Sequence, residues 1–290
     1  MRISPGRVGV WSRELRFQPD RAAALDAANE LEALGYGAIF IPDVGGDVLG
    51  AVQELLAATS KIAVATGIIN IWMHDAAAIA AGVSRLDGAE RALIGLGAGH
   101  AATVDAETPG RYKRPLSKMR DYLDELDEAR PPLPAPDRIL AALGPRMLEL
   151  SRDRAAGAHP YLVPSEHTAR AREILGPDRL LAPEQGVVLT GDPTRGRELA
   201  RAHVADYLRL PNYTANLRRL GFGDEDLAGS GSARLVEALV VYGDEQRIAD
   251  RVAEHLQAGA DHVCIQVVGQ RDEALAIDDW RALAPALTAL

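Results

Sequence analysis

The sequence predicts an α/β fold built as a (β/α)8, or TIM, barrel. The chain has 290 residues, a length that suits one such barrel. Eight short runs of strand-forming residues alternate with longer helical stretches. Most of these runs are continuously apolar, as expected for parallel strands that are covered on both faces. A doubly wound open sheet shows the same alternation, so counting strands leaves that alternative open.

The predicted strands occupy, in chain order, residues 7–12, 37–42, 62–69, 91–97, 138–143, 158–163, 180–189 and 261–268. Amphipathic stretches separate several of them. In "RAAALDAANELEALG" the side chains of Ala24, Ala28 and Leu31 share one stripe, and in "DEQRIADRVAEHLQAG" Ile248 and Val252 lie four residues apart. Both patterns predict helices that cover the sheet.

Two segments depart from simple alternation within the single domain predicted over residues 1–290. The stretch "EARPPLPAPDR" is a proline-rich connector between a helix and the fifth strand. Residues 208–235 contain extra helical and loop patterns before the last βα unit. We predict that the 208–235 segment is an insertion over the mouth of the barrel.

Composition limits the possible partners and location. The net charge of -9 and the pI of about 5.3 exclude broad electrostatic attraction to nucleic acid or to an anionic membrane. The single cysteine, Cys264, cannot form an internal disulfide and lies in the apolar run "HVCIQVV", which predicts a buried structural thiol. "MRISPGRVGVWSRELRF" lacks the apolar core of a signal peptide. These observations predict a cytoplasmic protein.

The stretch "LIGLGAGH", residues 93–100, ends the predicted fourth strand with glycine at every second position. A dinucleotide-binding fingerprint needs G-x-G-x-x-G at the start of a helix, and His100 occupies the place of the third glycine. The carboxyl ends of barrel strands carry the active site, which predicts close approach of a cofactor at Gly97, Ala98 and Gly99. Gly95 equally fits relief of crowding inside a small barrel.

Four stretches in this order resemble the bacterial luciferase-like family, and within it the oxidoreductases that use the deazaflavin coenzyme F420. They are "YGAIFIPD", "VATGIINIWMHDAAAIAAGVSRLDGAERALIGLGAGH", "LAALGPRMLELSRDRAAGAHPYLV" and "VYGDEQRIADRVAEHLQAGADHVCIQVV". The resemblance implies a TIM barrel that transfers hydride between F420 and a small organic substrate. It also implies a homodimer.

The resemblance places the cofactor ring against a non-prolyl cis peptide at Gly67–Ile68, with Asn70 at its polar edge. Asp43 ends the second strand, where a carboxylate can bind the cofactor or orient a catalytic partner. Many family members follow this aspartate with histidine, but Val44 stands here. An Asp capping the next turn is the alternative for Asp43.

The resemblance implies that His100 gives or takes the proton, since some deazaflavin enzymes carry a glutamate at that position and imidazole can replace it near neutral pH. His74 and His159 are rivals for this role, and the sequence does not rank them. His159 is also a candidate to face the ring or the phosphodiester.

The resemblance also places the cofactor phosphate at Ala142, Gly144 and Pro145, where a strand passes into a helix and free N–H groups can bind an anion. Four basic residues could hold a phosphate or an oligoglutamate tail, or form a solvated helix face: Arg111, Lys113, Arg114 and Lys118. No motif for a metal site appears in the sequence.

Two alternative functions remain open on the same scaffold. One is an FMN-dependent monooxygenase, since the luciferase-like fold serves both cofactors. The other is a non-catalytic protein that binds a flavin or deazaflavin, because Val44 and His100 both depart from the family pattern.

Overall fold

A computed structural model describes residues 4–269 and 274–290. Its strands are β1 (Val8–Trp11), β2 (Ala38–Ile41), β3 (Ala63–Thr66), β4 (Ile69–Asn70), β5 (Ala92–Gly97), β6 (Arg138–Leu140), β7 (Gly157–Ala158), β8 (Leu180–Leu181), β9 (Glu184–Leu189), β10 (Val240–Gly243) and β11 (Val263–Val267).

The strands form a parallel sheet that curls into a barrel. β1 pairs with β2 on one side and with β11 on the other, and pairing continues from β2 through β3, β5, β6 and β7 to β8. β9 pairs with β11. β8, which pairs with β7, and β9, which pairs with β11, are successive parts of residues 180–189. This segment therefore connects the β7 side of the sheet to the β11 side and closes the barrel. The predicted (β/α)8 fold class is confirmed, and the open sheet is not observed.

The helices are α1 (Glu14–Phe17), α2 (Arg21–Ala33), α3 (Val48–Ala58), α4 (Ala76–Val83), α5 (Ala101–Glu107), α6 (Pro115–Glu128), α7 (Pro145–Arg154), α8 (Ser165–Leu175), α9 (Pro193–Tyr207), α10 (Pro211–Arg219), α11 (Asp224–Leu227), α12 (Ala233–Leu239), α13 (Glu245–Gln257) and α14 (Ile277–Leu287). Short 3-10 helices occupy Ala89–Arg91 and Ala135–Asp137. Within the described residues, no helix has the length and apolar character to cross a membrane.

Aspartates begin many of the crossover helices. The side chains of Asp20, Asp47, Asp75, Asp192 and Asp244 each accept a hydrogen bond from a backbone N–H in the first turn of the following helix. A carboxylate at this position accepts a hydrogen bond from a backbone N–H that would otherwise be unpaired. Its negative charge also interacts favourably with the positive end of the helix dipole. These local signals fix where each helix starts.

Each predicted strand range overlaps an observed strand, although β7 shares only Ala158 with the predicted range 158–163, and two ranges are interrupted. The predicted strand over residues 62–69 divides into β3 and β4 at a cis peptide bond between Gly67 and Ile68. The predicted strand over 180–189 divides at Ala182 and Pro183. β10 was not predicted from the sequence; it directly follows helix α12 and pairs with β9.

The barrel interior is filled by small and medium apolar side chains. The buried cluster comprises Ala38, Phe40, Ala63, Ala65, Leu93, Ile139, Leu180, Ala182 and Cys264. Cys264 is fully buried, as predicted for a structural thiol. A Cβ atom at Gly95 would lie 1.9 Å from the carbonyl oxygen of Thr66. Close packing of β5 against the neighbouring strand therefore accounts for Gly95.

The 208–235 segment contains α10, α11 and the start of α12. Tyr213, Leu217 and Phe222 of this segment join a separate apolar cluster with Val204 of α9 and Val240 of β10. This second cluster holds α10 beside the barrel, where Tyr213 and Arg219 line the cavity described below.

Candidate active site

A cavity of about 820 Å³ opens at the carboxyl ends of the strands. Its wall includes Trp11 at the end of β1, Asp43 beyond β2, His100 beyond β5 and Gln266 near the end of β11. Parallel strands bring residues that are distant in sequence to one end of the barrel. The volume lies in the usual range for small-molecule and cofactor sites.

Most of the predicted site residues line this cavity: Asp43, Gly67, Ile68, Asn70, Ala98, Gly99, His100, Ala142, Gly144 and His159. Gly97, Pro145 and the rival proton donor His74 do not line it. The structure therefore brings together residues from the second through the sixth strand predicted from the sequence.

The two glycines at the end of β5 make room for different neighbours. A Cβ atom at Gly97 would lie 2.5 Å from Cδ1 of Ile68, so this glycine accommodates a side chain that lines the cavity. Gly99 has a φ of +59° and a Cβ atom there would lie 2.5 Å from Nδ2 of Asn70. Gly99 thus combines a left-handed backbone with a close approach that excludes other residues.

The peptide bond between Gly67 and Ile68 is cis, as the resemblance implies. Nε1 of Trp11 donates a hydrogen bond of 3.0 Å to the carbonyl oxygen of Gly67. Both Gly67 and Ile68 line the cavity. The bond therefore lies on the cavity wall, held by a side chain from β1.

His159 lies beneath this wall in a neutral form. Its Nδ1 donates to the carbonyl oxygen of Ala182 over 2.6 Å, and its buried Nε2 has no hydrogen-bond partner among the described residues. The ring stacks on Phe40 with centroids 4.7 Å apart. Burial lowers the pKa of His159 to about 4, so it is a weak proton acceptor and is not charged near neutral pH.

Asp43 is engaged by protein groups on several sides. Its Oδ2 accepts from the backbone N–H of Asn70 at 3.2 Å and lies 2.7 Å from Nε2 of His74. Nη1 of Arg16 lies 3.6 Å from Oδ1, and the Arg16 guanidinium donates to the carbonyl oxygens of Pro42 and Gly45. With its side chain 3% exposed, Asp43 is held in one position at the cavity wall.

His100 stands at the start of α5 and is half-buried. Its Nδ1 has no hydrogen-bond partner among the described residues, and its ring lies 5.7 Å from that of Tyr213. Burial lowers the pKa of His100, while a side-chain hydrogen bond with Asn212 opposes that shift. The imidazole is therefore neutral near pH 7 and suited to accept a proton.

A candidate anion site lies where β6 passes into α7. Gly144 precedes the ten-residue helix α7, whose first position is Pro145. Nη2 of Arg219 on α10 lies 3.4 Å from the position of a Cβ atom on Gly144. An arginine thus faces a helix N-terminus, and both features favour a negatively charged ligand.

Sequence reasoning missed Arg219 and the aromatic part of the cavity. Phe, Trp and Tyr make up 4% of the chain, yet Trp11, Tyr161, Tyr207 and Tyr213 all line this one cavity. The tyrosines come from the end of the sixth predicted strand and from helices α9 and α10. No sequence spacing predicts that these elements meet. The one available signal was the presence of Tyr207 and Tyr213 within seven residues of a chain that has few aromatic residues.

The basic residues of 110–120 divide into two groups. Arg111, Lys113 and Arg114 are exposed and take part in no ion pair within the described chain. They flank Tyr112 and Pro115, which line the cavity. In contrast, Nζ of Lys118 lies 3.9 Å from Oε1 of Glu125, consistent with a solvated helix face.

Comparison with known proteins identifies relatives of this fold. The sequence model of the luciferase-like monooxygenase family matches residues 3–262. An F420-dependent secondary alcohol dehydrogenase in complex with an F420–acetone adduct is 15% identical, with a TM-score of 0.71 over 97% of this chain and 99% of its own. The coenzyme F420-dependent tetrahydromethanopterin reductase from Methanopyrus kandleri is 17% identical, with a TM-score of 0.70 over 96% of each chain.

An FMN-containing structure is also similar. The oxygenating constituent of 3,6-diketocamphane monooxygenase from the CAM plasmid of Pseudomonas putida, in complex with FMN, is 12% identical, with a TM-score of 0.66 over 98% of this chain and 96% of its own. No curated protein sequence matches the chain. At these identities the structural likeness establishes the fold, while the choice of cofactor depends on the site itself.

Proposed function

Because the chain belongs to the luciferase-like monooxygenase family, we propose that it is an oxidoreductase that transfers hydride between coenzyme F420 and a small organic substrate. The observation that carries this proposal is the cavity at the strand ends, which joins a wall formed by Gly67, Ile68 and Asn70 to a candidate anion site at Gly144. A cofactor with a planar ring and a phosphate-bearing side chain would fit the wall and the anion site together.

The residues present fit such a cofactor. Gly67, Ile68 and Asn70 would hold the ring from one side, and Ala98 and Gly99 would contact it beside Asn70. The first turn of α7, together with Arg219, would hold the phosphate. A bound deazaflavin supplies a ring carbon that accepts or donates hydride.

The protein's own contribution to the reaction is positioning and proton transfer. We assign the proton transfer to His100, whose unpartnered Nδ1 and cavity position allow it to accept a proton from the substrate and return it in the reverse direction. We assign Asp43 to orientation, because Arg16 and His74 hold its carboxylate at the wall.

Charge at the cavity rim supports F420 over FMN. Arg111, Lys113 and Arg114 are exposed beside the cavity and free of ion pairs within residues 4–269 and 274–290. An oligoglutamate tail would find counter-charges there that the single phosphate of FMN does not need. The homodimer and the cytoplasmic location implied by the sequence remain predictions.

Titration of the purified protein with F420 and with FMN tests the proposal, using fluorescence to follow binding of each cofactor. We expect F420 to bind at least about tenfold more tightly than FMN, a difference of 1.4 kcal/mol. Arg219→Gln should weaken both cofactors, because both carry a phosphate. Tight binding of FMN alone would favour the monooxygenase alternative, and binding of F420 without any hydride transfer would favour the non-catalytic alternative.

A further inference from the structure

A continuous set of rings forms one part of the cavity wall. We name it the aromatic band, and it consists of Trp11, Tyr161, Tyr207, Tyr213, His100 and His203. Each ring lies close to the next: Trp11 and Tyr161 have centroids 5.7 Å apart, Tyr161 and Tyr207 5.3 Å, and Tyr207 and Tyr213 5.1 Å. Apart from His100, the band shares no residue with the predicted cofactor-binding set.

The histidines extend both ends of the tyrosine group. His203 lies 5.2 Å from Tyr207, and His100 lies 5.7 Å from Tyr213. Burial lowers the pKa of His203 to about 4, so this ring is neutral at physiological pH. The band therefore offers flat, polarisable and uncharged surface, which favours stacking and edge-to-face contacts with other rings.

The cationic side chains that line the cavity lie outside the aromatic band. Arg13 and Arg219 are exposed at the rim, whereas Asp206, an exposed residue of α9, acts electrostatically on His203 and Tyr207. Glu14 accepts a hydrogen bond of 2.8 Å from Ser12, and Asp43 contacts Arg16 and His74.

The nearest buried carboxyl group adds no charge either. Burial raises the pKa of Glu184 to about 8, so its carboxyl group is mostly protonated near pH 7. An anionic ligand group placed against the aromatic band would therefore lose its hydration without gaining a counter-charge, which is unfavourable.

Some polar atoms of the band are already satisfied and others are not. The Tyr207 hydroxyl donates to the Tyr161 hydroxyl at 2.8 Å, and Tyr161 donates to Oε1 of Gln266 at 2.6 Å. In contrast, the buried Nε2 of His203 and Nδ1 of His100 have no partner within the described chain. Leaving such atoms unpaired costs about 1–3 kcal/mol each, so a ligand that bonds to them is favoured.

We infer that the aromatic band is the substrate subsite and takes an uncharged aromatic or alicyclic compound that carries one hydroxyl or carbonyl group. The ring of the substrate packs on Tyr207 and Tyr213, and its oxygen bonds to the unpaired nitrogens of His203 or His100. This inference rests on the proposed function, because the remaining part of the cavity is then left for the cofactor.

Binding of matched neutral and charged probes tests the inference. Benzyl alcohol and cyclohexanol are compared with benzoate and cyclohexanecarboxylate by isothermal titration calorimetry, on the F420-saturated protein and on the protein alone. We expect each alcohol to bind at least about tenfold more tightly than its carboxylate, since no counter-charge compensates desolvation of the anion. Carboxylates that bind as tightly as the alcohols would overturn the inference.

Variants locate the subsite. His203→Leu should weaken cyclohexanol binding about five- to tenfold, whereas its binding of methylcyclohexane, which has no oxygen, should change little. Tyr213→Phe keeps the ring on which the substrate packs and should change neither. Tyr242→Phe is the matched control, because the Tyr242 hydroxyl donates to Glu237 and does not line the cavity. Equal effects of His203→Leu on both probes would overturn the assignment of the oxygen to His203.

The two proposals fail in different ways. Normal F420 binding with no preference for neutral rings would reject the substrate subsite and leave the proposed function standing. Binding of the alcohols by a protein that binds neither F420 nor FMN would reject the proposed function and leave the subsite standing.

Discussion

Nε2 of His74 lies 2.7 Å from Oδ2 of Asp43, although 31 residues separate the two in the chain. The residue after Asp43 is Val44, so the local sequence offers no imidazole beside this carboxylate. The imidazole comes instead from His74, which lies in the loop after β4, whereas Asp43 follows β2. His74 does not itself line the cavity, so we propose that it acts by positioning Asp43.

We predict that His74→Ala lowers the turnover of hydride transfer about tenfold, because the Asp43 carboxylate loses a hydrogen bond worth roughly 1.5–3 kcal/mol. The dissociation constant of F420 should change much less than turnover. His74→Gln should restore most of the turnover, since its amide can also donate to Asp43. Steady-state kinetics measure the effect, and equal losses in both variants would contradict the positioning role.

We predict that Gly99→Ala weakens F420 binding and lowers the free energy of unfolding by about 1–3 kcal/mol. The φ of +59° is unfavourable for alanine, and the new Cβ atom would meet Nδ2 of Asn70 at 2.5 Å. Gly191→Ala is the matched control, because a Cβ atom there meets nothing within 4 Å. Urea unfolding and cofactor titration measure both effects, and indistinguishable variants would refute this account of Gly99.

We predict that the double variant Arg111→Ala/Lys113→Ala weakens binding of F420 with an oligoglutamate tail about threefold to tenfold, at roughly 0.2–1 kcal/mol per exposed charge. Binding of FMN should not change, and the loss should shrink in high salt because screening weakens exposed charge pairs.

The control for this double variant removes the same charge from the opposite end of the barrel. Lys61 and Arg179 are exposed and precede β3 and β8. Lys61→Ala/Arg179→Ala should leave F420 affinity unchanged. If both double variants weaken binding equally, the effect comes from net charge and the tail site is wrong.

We predict that the protein loses stability as the pH falls below about 6.5. Burial lowers the pKa of His159, His203 and His262 to about 4 and that of His255 to about 3. In the unfolded chain these histidines bind protons as the pH falls below their ordinary pKa of about 6.5, whereas in the folded protein they remain neutral. Their contribution to the free energy of unfolding is therefore present above pH 6.5 and is lost as the pH falls toward 4.

Urea unfolding at pH 7 and pH 5 measures this loss, which we expect to be about 1–2 kcal/mol for each such histidine. His255→Gln should reduce the difference between the two pH values by one histidine's share, because its amide can still bond to Thr168 and Gln185. Equal free energies of unfolding at pH 7 and pH 5 would contradict the prediction.

The regular elements were largely predictable because their signals are local. Continuous apolar runs identified the eight strand positions of the barrel. The aspartates that cap the crossover helices are a local signal of the same kind, although the helix starts were not predicted from them. β10 was missed because it follows α12 without a turn, and only its pairing with β9 makes it a strand.

The sequence by itself determined the alternation of strands and helices and the strand ends that carry Asp43, Gly99 and Gly144, because periodicity and glycine placement are properties of short stretches. Closure into a barrel instead depends on pairing between distant strands. Only the tertiary structure decided which side chains meet at the mouth. It brought His74 to Asp43 and Arg219 to Gly144. Such pairs form between loops on different strands, and no spacing along the chain encodes a contact that barrel closure creates.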